Sequence, residues 1–284
     1  MKHSLNLLAM DNSQLFSVLI CEEYLMLQRI KDIYAYRDMI YSLVRRELRG
    51  RYKGSVLGFL WTYINPLCQI IVYSAVFSVI FRVEIEKFYL YLTIGMMPWV
   101  FFNTSVQGGS TCVRAQADMV KKIYFPREVI PISYVTSAFV NMLLSFVIVF
   151  LAVLTAGWGF NPLALLFLPL IMLIEFFLAL GIAFIVSSVT VYFRDLEQIV
   201  GVLMIAWIYL TPIMYDVDFI PGQLRTLFFL NPMTPVIVVY HDILYYRSIP
   251  DAACLLQAAL VSLAVFAAGF LLFWRLDRGF AEEL

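Results

Sequence analysis

Six stretches of this sequence are each long and apolar enough to cross a lipid bilayer, which removes most folds at once. They are residues 58–81, 88–107, 131–156, 162–191, 198–215 and 252–274. A helix crossing the hydrocarbon needs about 20 mainly apolar residues. No water is available there, so the backbone must bond within each helix. Composition agrees, since 62% of the 284 residues are apolar and 14% are charged. A soluble domain has about 45–50% apolar and about 25% charged residues. A soluble globule of this make-up would expose too much apolar surface. The 24 Phe, 17 Tyr and 5 Trp are not those of a solvated coil. Twenty basic and twenty acidic residues cancel, so charge does not point to a nucleic-acid binder. The reading is an all-α integral membrane protein with six transmembrane helices.

The remainder divides around these spans. Residues 1–35 form a predicted cytoplasmic arm whose charges break every apolar group, unlike a secretory signal. Residues 36–57 are a predicted amphipathic interfacial helix. There Met39, Ile40, Leu43 and Val44 share one face, and Ser42, Arg45 and Arg49 lie opposite. Residues 58–274 are the six-span domain, and 275–284 a cytoplasmic tail. Between the fifth and sixth spans, 216–251 carries four prolines and predicts short outer helices or a re-entrant hairpin over 223–230 and 234–246. Asn65-Pro66 and Thr211-Pro212 predict kinks or span ends. With both termini inside, sixteen Lys and Arg lie on the cytoplasmic side and four outside. That asymmetry sets the orientation.

Little points to chemistry on a bound metal or nucleotide. Cys21, Cys68, Cys112 and Cys254 are far apart, and His3 and His241 are the two histidines. Neither set has metal-ligand spacing. No GxxxxGK[ST] loop is present to cradle nucleotide phosphates. Glu175, near the middle of the fourth span, is costly at that depth. It serves either a functional contact or a helix–helix hydrogen bond, with Asn141 and Ser145 as polar neighbours.

Six ordered motifs then carry a resemblance: RYKGSVLGFLWTYINPL (51–67), LTIGMMPWVFF (92–102), KKIYFPREVIP (121–131), VYFRDLEQIV (191–200), LTPIMY (210–215) and IPGQLRTLFFLNPMTPV (220–236). Together they resemble the permease subunit of ABC-type exporters of polysaccharides and polyol phosphates, the O-antigen, capsule and teichoic acid exporters. The resemblance implies a homodimer in the plasma membrane, each copy paired with a separate ATP-binding cassette subunit. ATP-Mg would sit on that partner, and this chain would bind no cofactor.

A pump so driven needs a joint on its cytoplasmic face. The 108–130 segment suits it, with Gly108-Gly109 opening it, Pro126 and Pro131 closing it, and a short helix around 111–124. Asp118, Lys121, Lys122, Arg127 and Glu128 supply charge, and Ile123, Tyr124 and Phe125 an apolar wedge for helix-in-groove docking. Read blandly, this is a basic loop obeying the topology rule. Arg194, Asp195 and Glu197, between the fourth and fifth spans, form a smaller second cytoplasmic site that either pairs internally or touches the partner. Aromatic faces suit sugars. Phe59, Trp61 and Tyr63, Trp99 and Phe102, and Trp207 and Tyr209 are conduit candidates together with Glu175. The competing role of such aromatics is anchoring at the membrane interface.

The functional expectation is a permease subunit, not itself an enzyme, that moves lipid-linked polysaccharide or teichoic acid polymer. The alternative is a membrane-embedded transferase acting on lipid-linked sugars, which needs a convergent set of acids, a base or metal ligands. A channel or secondary transporter is the third class. It would show several intramembrane charges or paired broken helices.

Overall fold

The computed structural model describes residues 28–29, 31–52, 57–80 and 84–284. Of the arm predicted over 1–35, residues 28–29 and 31–35 are described and the rest lies outside the described residues, as does the Phe59 side chain. The described chain is all helical. Its α1 (Arg37–Tyr52) buries Leu43 and rests Met39 and Ile40 on the core, while Arg45 and Arg49 face out. Next come α2 (Trp61–Ala75), prolonged by a π-helical turn to Ile80, and α3 (Phe88–Cys112). The six-residue α4 (Ala117–Lys122) leads to α5 (Val129–Thr155), α6 (Pro162–Leu165) and α7 (Leu168–Tyr192). They are followed by α8 (Leu196–Trp207), α9 (Gly222–Leu230) and α10 (Met233–Leu244). The long α11 (Ala252–Leu276) and the short α12 (Phe280–Glu283) complete the chain.

Among the described residues, four helical stretches are long and apolar enough to span a bilayer: Trp61–Ile80, Val129–Thr155, Pro162–Tyr192 and Ala252–Gly279. A fifth exists only if α9 and α10, bent by 103° to each other, count as one broken span. The expected count of six is therefore not reached by length and apolarity. The second expected span, 88–107, has the length but not the apolarity, because α3 carries Thr93, Asn103, Thr104, Ser105 and Gln107. The fifth, 198–215, has the apolarity but not the length. At about 1.5 Å per residue, a 12-residue helix covers about 18 Å of a hydrocarbon layer about 30 Å thick. Pro66 sits inside α2 rather than ending it, whereas Thr211-Pro212 lies in the turns after α8.

The buried centre is α3, packed between α5 and α7. Glycines allow that approach. A Cβ on Gly109 would lie 2.9 Å from Ala183 Cβ, and one on Gly108 would strike the Tyr134 ring. This corrects the reading of Gly108-Gly109 as the opening of a loop. The helix runs through both to Cys112, because their missing side chains serve packing rather than turning. The predicted helix over 111–124 is likewise shorter: a 3-10 turn, Arg114–Gln116, precedes α4.

The most extensive helix pair is α7 with α11. Gly181 and Gly269 meet there, and a Cβ on Gly181 would come within 2.6 Å of Phe266 Cα. Small residues let backbones touch where burial of apolar surface gives no net drive between helices. Side-chain caps fix helix starts. Asn161 accepts from Leu163 N before α6, and Asp251 accepts from Cys254 N before α11.

Candidate functional site

At one end of the bundle, α4 and the turn after it divide into an exposed and an anchored half. Lys121, Lys122 and Ile123 are exposed, and Tyr124 is 94% exposed. Lys122 pairs with Asp118 one turn earlier at 3.4 Å, both largely in solvent, a contact that contributes little. Phe125 and Glu128 are buried. Of the coupling residues named from sequence, these two are the floor of the segment, and the two lysines with Tyr124 are its outward surface.

A charge cluster that no sequence motif announced holds the floor in place. Arg29 donates from Nε to Glu128 Oε1 at 2.8 Å and from a second nitrogen to the Asp277 carboxylate. Arg127 donates to the Asp277 backbone carbonyl, and its guanidinium lies 5.8 Å from the Phe280 ring centroid. Three segments distant in sequence thus meet: the chain before α1, the start of α5 and the end of α11. Burial, the largest influence on Arg29, opposes its charge. The hydrogen bond and charge of Glu128, with the charge of Asp277, outweigh that and leave its pKa raised. Beside the cluster lies a cleft of about 870 Å³ bordered by Asp32, Tyr36, Lys121, Trp274 and Arg278.

Arg194 and Asp195 lie exposed between α7 and α8. Their neighbour Glu197 pairs inward with Arg114 at 3.2 Å, which ties the start of α8 to the end of α3. Arg194 borders a recess with Thr111, Glu197 and Glu283.

The aromatic candidates also separate. Trp61 is 43% and Tyr209 54% exposed, and Tyr63 is half-buried. Trp99 and Phe102 are buried. They form a ladder with Trp207, with centroids 5.8 Å apart for Trp99–Phe102 and 5.4 Å for Phe102–Trp207. Trp207 Nε1 donates to Asn231 Oδ1 at 2.8 Å. Asn231 also accepts from Met233 N, and its amide donates to Leu210 O and Thr211 Oγ1. One side chain thereby fastens the end of α8 to the bent α9–α10 pair. Nothing in the sequence singled it out beyond its place in the LNPMTP stretch.

Glu175 is fully buried, and its neighbour differs from the expectation. The partner is neither Asn141 nor Ser145 but Tyr240 on α10, whose hydroxyl donates to Oε2 at 2.7 Å. The other oxygen, Oε1, has no hydrogen-bond partner among the described residues. Next to Tyr240, His241 stacks on Tyr91 with centroids 3.8 Å apart, and its Nε2 lies 3.1 Å from Tyr91 O. The α9–α10 element is thus keyed into α3 and α7. Asn141 and Ser145 instead border a cleft with Trp61, Thr62, Asn65 and Thr104.

The opposite end of the bundle is closed by Trp158. Lys87, with φ 49°, caps α3 and sits 4.6 Å from the Trp158 ring centroid, with its ammonium donating to Ala156 O at 2.7 Å. Arg247 covers the same ring at 5.1 Å and donates to Trp158 O at 2.7 Å. Such cation–π contacts suit an aromatic with one wet face. Nearby, burial first and then the hydrogen bond to Asp216 push the Tyr246 hydroxyl upward, so it stays a donor.

Comparison with known proteins places this geometry in a family setting. The sequence profile of the ABC-2 type transporter family matches residues 39–245. The O-antigen export system permease protein RfbA of Myxococcus xanthus is 35% identical over 262 residues, covering 91% of this chain and the whole of that protein. A protein of the same name from Klebsiella pneumoniae is 32% identical over 72% of this chain and 80% of its own length. The polysialic acid transport protein KpsM of Escherichia coli is 23% identical over 82% of this chain and 91% of its own.

Proposed function

The chain belongs to the ABC-2 type transporter membrane family, and from that premise we propose that it is the permease subunit of an ATP-driven exporter of lipid-linked surface polysaccharide. The observation that carries this reading is the match, over 91% of this chain and the whole of the relative, to an O-antigen export permease. Within it, each copy binds one ATP-binding cassette subunit that carries ATP-Mg, and two copies of this chain form the conduit. The protein lies in the plasma membrane with both termini in the cytoplasm. Six crossings are assigned, with α3 as the second and α8 with its following turns as the fifth. In this arrangement α1 lies along the cytoplasmic surface, its basic face toward lipid phosphates.

Motion enters through α4. Lys121, Lys122, Ile123 and Tyr124 present a basic and apolar wedge to the ATPase, supported by their joint exposure. Phe125, Arg127 and Glu128 carry its displacement into α5 and α11, since a docked wedge moves only what it is fastened to. Arg194 and Asp195 form the second contact. Exposed Trp61 and Tyr209 offer aromatic faces to the polymer. The polymer is O-antigen-like or capsular glycan, or the polyol phosphate of a teichoic acid.

The test is deletion and reconstitution. Loss of the chain should remove polysaccharide from the cell surface and trap it inside. Co-expression with the cognate ATP-binding subunit should yield a complex whose ATPase rate depends on this chain. Normal surface glycan in the deletion strain would overturn the reading.

A further inference from the structure

The helix α12 has four residues and follows a 3-10 turn, Asp277–Gly279. The helix α4 has six. Neither is stable by itself, because isolated helices shorter than about 12–15 residues are marginal in water. Each takes its rigidity from what it packs on. Among the described helices, and beyond the turn that leads into it, α4 packs most extensively on α12. The same α12 packs on α7.

Phe280 fixes α12 in place. It is fully buried, whereas Glu282 and Glu283 of the same helix are exposed. Its ring centroid lies 5.3 Å from that of Phe273 on α11 and 6.1 Å from that of Tyr192, the last residue of α7. The Arg127 guanidinium, just before α5, lies 5.8 Å from the same ring, within cation–π range. The backbone beside Phe280 is held as well. The Tyr192 hydroxyl donates to Leu276 O at 2.7 Å, and Arg127 donates to Asp277 O. A Cβ on Gly279 would strike the Tyr192 hydroxyl, so the bare backbone lets the turn meet α7. A residue that merely closed the end of α11 would need Phe273 alone. Phe280 instead gathers side chains from α7 and from the start of α5. Beyond it, Glu283 and Leu284 border the recess that holds Ala117 of α4, Arg194 and Glu197.

We propose that residues 277–284 are a strut joining α4 to the connection between α7 and α8, with Phe280 as its positioning residue, so that the two cytoplasmic contacts move as one body. The strut rests on the reading of α4 as the surface the ATPase pushes. A six-residue helix held only by the chain at its two ends would tilt under load and absorb the stroke. Braced by α12, it passes the displacement to α7 and α11.

The test uses the full complex with the cognate ATP-binding subunit, in cells that make the polymer. Export and ATPase rate are each expressed per assembled complex, so a loss of folded protein cancels. Phe280→Ala should assemble and hydrolyse ATP at the parent rate, with export per complex lowered about tenfold, a small part of what losing a buried Phe side chain costs a fold. Phe280→Leu, which refills most of the space, should restore most of the export. Tyr192→Phe keeps the ring and removes only the bond to Leu276 O, and should lower export per complex about two- to threefold. It decides the matter if Phe280→Ala does not assemble. Normal export per complex in Phe280→Ala, or in Tyr192→Phe where Phe280→Ala does not assemble, overturns the strut. A purely structural Phe280 gives that result, since fewer complexes would form and each would work. Equal loss of ATPase rate and export per complex also overturns it, because the residue would then serve the ATPase contact itself. Failure of the α4 reading looks different: Lys121→Glu with Lys122→Glu would leave export per complex unchanged.

Discussion

Replacing Arg29 by Gln tests whether the chain before α1 is fastened to the segment between α4 and α5. Glu128 is fully buried and Arg29 is 25% exposed, with the two at 2.8 Å. Glu128 Oε2 has no hydrogen-bond partner among the described residues, so its burial rests there on the bond at the other oxygen. Breaking a buried ion pair by removing one partner costs about 3–5 kcal/mol, whereas an exposed pair contributes about 0–1. With one member partly in water, the loss for Arg29→Gln should be about 2–3 kcal/mol. For a chain of this size that is a fall of roughly 5–10 °C in melting midpoint, at about 2–4 °C per kcal/mol. The assay is thermal melting of the purified chain in detergent, followed by fluorescence-detected gel filtration. Glu128→Gln removes the buried charge and should cost less than Arg29→Gln. The double variant should recover part of the loss, because the uncompensated carboxylate is then gone. A midpoint for Arg29→Gln within about 1 °C of the parent, or a double variant worse than both singles, would refute the reasoning.

Three further outcomes follow from the same contacts. Reversing charge with Lys121→Glu and Lys122→Glu should weaken ATPase coupling while leaving membrane insertion intact, read by ATPase rate and membrane fractionation, since both side chains are exposed. Gly181→Leu should lose the α7–α11 crossing and with it folded yield, because even a Cβ there meets Phe266 backbone at 2.6 Å, and Gly201→Leu, in open space, should be tolerated. Tyr240→Phe removes the hydrogen bond to Glu175 and should destabilise by about 1–3 kcal/mol, with Glu175→Gln in the same background recovering stability in a melting assay.

Membership of the membrane class, the long apolar helices and the basic exposed stretch before α5 were all legible from residue order. Apolarity over about 20 residues and positive charge at one side are local properties, set by the solvent each segment must face. The bent pair after Thr211-Pro212 was legible for the same reason, since proline acts on its own backbone. The partner of Glu175 was not legible, because Tyr240 lies 65 positions away and two sequence-nearer polar residues looked equally able. Nor was the division of the segment from α4 to the start of α5, where Lys121 and Glu128 read alike as charges. Only the packing of three distant segments buries one against Arg29 and leaves the other in solvent. Gly108-Gly109 illustrates the limit best. A glycine pair signals either a turn or a close approach, and it is the neighbouring helices, Tyr134 on one side and Ala183 on the other, that decide between them.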